Sequence, residues 1–100
     1  MTDPKSAQPP ASQRPAFTVG MEEEYLLVDV TTRDLAGDPP PAMMKECEAL
    51  LQGQVMPEFL RAQIEVATRP CASMQEARAD LARLRRTVAG VAAKHGLAPI

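Results

Sequence analysis

The chain has 100 residues, 45% of them hydrophobic and 24% charged, with a formal net charge of -2. That length allows one small domain at most, with a modest core, and the near-neutral balance gives no electrostatic footprint for nucleic acid or an anionic membrane surface. No run of about 18 apolar residues exists to span a bilayer, and the two cysteines, Cys47 and Cys71, have neither disulfide-framework nor zinc spacing, which points to a reduced, cytoplasmic setting.

The first stretch, "MTDPKSAQPPASQRP", lacks the apolar segment of a signal peptide, and its Pro, Ser, Gln and Ala residues show no periodicity. Residues 1–16 are read as a disordered leader and residues 17–100 as the folded part. "FTVGMEEEYLLVDV" then predicts a strand of about ten residues, closed by the turn chemistry of "TTRDLAGDPPP". "AMMKECEALLQG" predicts a short helix, with Pro41 in its first turn, Met43, Cys47 and Leu50 on one side and Gly53 as the stop.

"FLRAQIEVAT" predicts a second strand with Ile64, Val66 and Thr68 on one face, ended by Pro70. The strongest local signal is "SMQEARADLARLRRTVAGVAAKHG". Ser73 and Glu76 have capping-box spacing, Ala77, Leu81, Leu84, Val88 and Val91 recur by fours and threes, and Gly96 stands where a C-cap is expected, giving a helix over 74–95. "HGLAPI" should open a further strand. The order strand, helix, strand, helix is an α+β pattern, and two strands alone cannot make a stable sheet. The chain is therefore expected to be the N-terminal part of something larger.

Three consecutive glutamates precede the apolar run of the first strand. Alternation puts Glu22 and Glu24 on one face, about 6.5 to 7 Å apart, and turns Glu23 to the other face with Met21 and Tyr25. Like charges on one face repel unless something sits between them. Hard divalent cations such as Mg²⁺ take oxygen ligands and keep positions open for substrate phosphates, so a cation or a metal-bound phosphate would reverse the sign. Glu65 shares a face with Gln63 and Arg61 and can meet Glu22 and Glu24 if both strands lie in one sheet.

Glu58, an odd seven residues before Glu65, joins them only if the chain bends near Pro57. The bland alternatives are a solvated acidic face and an Arg61–Glu65 surface pair worth about 0 to 1 kcal/mol. Elsewhere, His95 complements the end of the long helix, Met43, Met44 and Met74 fill the core, Cys71 has no local base to make it a nucleophile, and "RLRR" at 83–86 is the solvated face of the helix.

"FTVGMEEEYLLVD", followed by "PEFLRAQIEVATRPC" and then by "EARADLARLRR" and "AAKHGL", resembles the opening of the bacterial carboxylate–amine ligases of the glutamate–cysteine ligase type 2 family, over residues 17–98. The resemblance implies an antiparallel sheet with helices on one face, part of a glutamine synthetase-like catalytic fold. It also implies that ATP phosphorylates the γ-carboxylate of glutamate, after which an amine such as that of cysteine displaces phosphate. Carried over by position, it assigns Mg²⁺ to Glu22, Glu24 and Glu65 with Glu58 as an additional ligand, and it gives Thr68 a contact with the amino-acid substrate. A complete member is several times longer, so this stretch alone is expected to be inactive. The competing expectation is a non-catalytic α+β interaction module whose long helix packs on a partner.

Overall fold

The computed structural model describes residues 17–57 and 62–100. The expected leader, Glu58, and the Phe59–Arg61 start of the expected second strand lie outside the described residues, as does the Arg61 side of the anticipated Arg61–Glu65 pair. The elements are β1 (Glu22–Asp29), α1 (Pro41–Leu51), β2 (Val55–Pro57), β3 (Gln63–Ala67), α2 (Met74–Ala93) and β4 (Leu97–Pro99). They form one four-stranded antiparallel sheet in the order β2-β3-β1-β4, with both helices packed on one side. This is the expected α+β class, with β4 where "LAP" follows the capped helix. Among the described residues no helix is long and apolar enough to cross a membrane.

β1 survives its acidic start because its other residues bury well. Tyr25 and Leu27 face the helices, pairing across the ladder to β3 and β4, while Ile64 and Val66 of β3 fill the same layer. Slipping the register by one residue would drive the glutamates into the core, so the hydrophobic pattern fixes the pairing. The strand stops at Asp29, whose Oδ1 accepts from the backbone N–H groups of Thr31 (2.8 Å) and Thr32 (2.9 Å), a local turn that competes with the ladder. Those two hydrogen bonds hold the Asp29 carboxyl below its ordinary pKa.

α1 starts at Pro41 and presents Met43, Cys47 and Leu51 to the core. The expected third contact, Leu50, is instead 57% exposed, because a strict spacing of four from Cys47 selects Leu51. The helix ends through Gln52 at φ 38° and Gly53 at φ 84°, with Glu48 Oε1 accepting from the Gly53 N–H at 3.0 Å. β2 is a strand that the sequence does not announce. Three residues containing a proline form an edge only because β3 lies alongside.

α2 begins as its capping box predicts, with Ser73 Oγ accepting from the Glu76 N–H at 3.2 Å. The reciprocal bond is displaced by one residue, since Glu76 Oε2 accepts from Ala72 rather than from Ser73 (2.8 Å). Ala77, Leu84, Val88, Val91 and Ala92 are buried and Leu81 packs beside them. The helix closes at Ala93, so Lys94 is the cap and exposed His95 lies just past the last turn it was expected to occupy. Lys94 reaches Glu46 of α1 at 2.5 Å, an exposed ion pair that adds little to stability.

Candidate active site

The side of the sheet away from the helices carries Glu22, Glu24, Leu26 and Val28 from β1, Gln63, Glu65 and Ala67 from β3, and Met56 from β2. Glu24 stands directly opposite Glu65 in the β1–β3 ladder, and Glu22 stands opposite Ala67, one pleat along on the same face. Directly opposed side chains have Cβ atoms about 4.5 to 5.5 Å apart, so two like charges there destabilise the sheet in the absence of a compensating group. Glu22 and Glu24 are exposed and Glu65 is half-buried. The strand alternation thus brings together the three carboxylates singled out in the sequence.

They line a face rather than enclose a point. Among the described residues no three His, Cys, Asp or Glu side chains form a group that could hold a metal ion. The donor chemistry, carboxylate oxygens on a solvent-facing sheet, fits Mg²⁺, which keeps several waters and binds through one or two carboxylates together with phosphate oxygens. An open, one-sided set is compatible with that habit and incompatible with a dedicated protein cage.

Thr68 sits just past β3, and its backbone and side chain both hold Met21, the residue before β1. The Thr68 N–H donates to the Met21 carbonyl at 2.8 Å, and Thr68 Oγ1 accepts from the Met21 N–H at 2.9 Å. The hydroxyl therefore extends the ladder beyond the point where β3 ends. Cys71, next along, is buried and its Sγ donates to the Arg69 carbonyl at 3.0 Å, the environment of a structural thiol.

Behind the carboxylate face lie two contacts that sequence reading missed by treating "RLRR" as solvated. In the first, Arg85 of α2 holds Glu23 in a two-pronged ion pair, through Nε to Oε1 at 2.6 Å and through Nη2 to Oε2. The hydrogen bonds from Arg85 keep the Glu23 carboxyl below its ordinary pKa against an opposing desolvation. The buried Tyr25 hydroxyl lies beside this pair without a hydrogen bond of its own, and burial, reinforced by Glu23, raises its pKa.

The second contact is a partly buried polar cluster around Gln54. Gln54, 6% exposed, donates through Nε2 to Asp80 Oδ2 (3.0 Å) and to the Ala67 carbonyl (3.2 Å). Arg83 donates to Asp80 Oδ1 through Nε (3.1 Å) and Nη2 (2.8 Å) and to Gln54 Oε1 (2.6 Å), and the Arg69 N–H completes the set on Asp80 Oδ2 at 3.1 Å. Asp80 and Arg83, three apart on a helix, were a readable local pair. Gln54 gave no sign, because its partners come from two other elements.

Comparisons with known proteins identify the family. The model of the family described as "Glutamate-cysteine ligase family 2(GCS2)" matches residues 18–100, and the chain belongs to that family. It is 58% identical over 84 residues to a protein of Jannaschia sp. (strain CCS1), covering 84% of this chain and 22% of that protein. It is 55% identical over 92 residues to one from Rhodospirillum rubrum, covering 88% of this chain and 24% of the relative. A protein of Paracoccus denitrificans is 53% identical over 89 residues, and all three bear the name "Putative glutamate--cysteine ligase 2". The chain spans less than a quarter of the length of these relatives. No solved structure matches it.

Proposed function

We propose that the full-length protein is a cytoplasmic, ATP-dependent ligase that joins glutamate to cysteine through a γ-glutamyl phosphate, within a glutamine synthetase-like fold. The described residues supply part of its phosphate-facing surface. The observation that carries this reading is the opposition of Glu24 and Glu65, with Glu22 on the same exposed face, in a chain that belongs to the glutamate–cysteine ligase family 2. Family membership also favours a ligase over a non-catalytic interaction module.

In this reading Glu22, Glu24 and Glu65 would share Mg²⁺ with phosphate oxygens, with Glu58 as a further ligand. When bound, the ion supplies neutralisation of phosphate charge, the dominant need in phosphoryl transfer. The chain's own residues orient and exclude. β1 and β3 fix the spacing of the carboxylates, and the Thr68 hydroxyl, already accepting from Met21, offers its proton to the amino-acid substrate. The rest of the full-length protein supplies the remaining groups, and this stretch alone is inactive.

The test is phosphate release from ATP by the full-length protein, measured with and without glutamate and cysteine. Dependence on both amino acids is expected, with kcat/KM falling at least about a hundredfold in Glu22→Gln and Glu24→Gln, as for loss of a principal electrostatic contact to the reacting group. Full activity in both variants would overturn the metal assignment, and indifference to glutamate would overturn the ligase assignment.

A further inference from the structure

Of the three adjacent glutamates, only Glu23 points to the helices, and it is the one that Arg85 holds. Glu22 and Glu24 flank it on the opposite side of the same strand, so one side chain of α2 is tied to the backbone position between them. The pair joins residues 62 positions apart in sequence, with Arg85 58% and Glu23 24% exposed at their side chains. Exposed ion pairs generally contribute little, and a two-pronged arginine–carboxylate pair is the recognised exception.

A generic surface pair would not need this position. Tyr25 and Leu27 anchor the later residues of β1 through burial. Its glutamates bring no such apolar anchor, and Met21 just before them is only half-buried. Glu23 is the first residue of the strand turned to the helices, and the buried layer starts only at Tyr25. Without Arg85 the two exposed carboxylates would ride on a strand end held by its ladder and by the Thr68 hydroxyl on Met21, with no such charged tie to α2.

We infer that Arg85 is a positioning residue that, through Glu23, fixes the backbone carrying Glu22 and Glu24 and thereby sets the affinity of that face for a divalent cation. The inference rests on the metal reading above and adds a residue that touches neither metal nor substrate. It also makes a prediction opposite in sign to simple electrostatics. Removing the Arg85 charge leaves the surroundings of the two carboxylates more negative, which by Coulomb attraction alone tightens cation binding. Loss of positioning loosens it, and outer-shell partners typically change metal affinity by about 10- to 100-fold.

The experiment titrates Mn²⁺ alone into the full-length protein, with free ion followed by electron paramagnetic resonance and thermal unfolding recorded in parallel without metal. The expected result is Mn²⁺ binding about tenfold weaker in Arg85→Met with metal-free unfolding little changed, and substantial recovery in Arg85→Lys and in the charge-swapped double variant Glu23→Arg/Arg85→Glu. Unchanged or tighter binding in Arg85→Met overturns the inference. If Arg85→Met does not fold, Arg85→Gln and the swap carry the same test, and a swap that folds with binding as weak as Arg85→Gln also overturns it. Absence of Mn²⁺ binding by the wild-type protein defeats the metal reading itself, and this inference with it. Binding lost in Glu22→Gln and unaltered in Arg85→Met defeats this inference alone.

Discussion

Asp80→Asn is the sharpest probe of how the helix layer holds the sheet. Asp80 accepts from three separate donors, the Arg83 guanidinium, the Gln54 amide and the Arg69 N–H. Asparagine keeps the shape, removes the charge and turns one of the two acceptor oxygens into an NH₂. Whichever way the amide settles, either Arg83 or the Gln54–Arg69 side faces a donor. Arg83 can rehydrate at its 40% exposed side chain, whereas Gln54, 6% exposed, cannot. Hydrogen bonds to charged groups contribute about 1.5 to 3 kcal/mol each, and a buried orphan costs about 1 to 3, so a loss of about 2 to 4 kcal/mol is expected.

The pH dependence follows from the same contacts. Burial pulls the Asp80 carboxyl upward, and Arg83, the Arg69 N–H and Gln54 together outweigh it and hold the folded-state pKa below the ordinary value. A carboxyl depressed on folding contributes stability that is complete above its unfolded value, about 3.9, and is lost as pH falls through the lower folded value. Urea unfolding of the full-length protein, wild type against Asp80→Asn, should therefore show a gap at pH 7 that narrows below about pH 4. A loss under about 0.5 kcal/mol at pH 7, within the range of ordinary surface substitutions, or a gap that does not narrow in acid, refutes the reasoning.

Three further outcomes are expected. Tyr25→Phe removes a buried hydroxyl that lacks a hydrogen bond, and should stabilise by about 1 kcal/mol in the same unfolding assay; a loss of similar size would mean that the hydroxyl has a partner in solution. Gly96 stands at φ 69° with nothing within 4 Å of an added Cβ, so Gly96→Ala meets backbone strain and no clash. It should cost about 1 to 2 kcal/mol. Burial, with the neighbouring charges of Glu46 and Glu48, raises the Cys47 thiol, and its side chain is fully enclosed. Disulfide-exchange reagents at pH 8 should label it at least about a hundredfold more slowly in the native protein than in urea.

What could be read from the sequence was whatever leaves a periodic or a local trace. α2 announces itself through Ser73, Glu76 and a stripe of apolar residues, and the faces of β1 and β3 follow from alternation, which is why Glu22, Glu24 and Glu65 fall on one side as expected. β2 was invisible because Val55–Pro57 has no pattern of its own and becomes a strand by pairing with β3. The choice of Leu51 over Leu50 turned on a single residue of helical phase. The grip of Arg85 on Glu23 was unreadable for a different reason, since "RLRR" looks the same whether its arginines meet water or a carboxylate brought in by tertiary folding.

Among the described residues, the two outermost strands of the sheet each contain a proline, Pro57 on β2 and Pro99 on β4. The reciprocal bonds between Leu26 and Ile100 and the bond from the Ala67 N–H to the Gln54 carbonyl fix which residues of each outer strand turn their amides inward. By that alternation both prolines occupy sites whose amide would point away from the sheet. A strand that approaches either margin finds a missing rung there. Any later strand that widens the sheet must leave its own carbonyl opposite the proline to water or to a side chain.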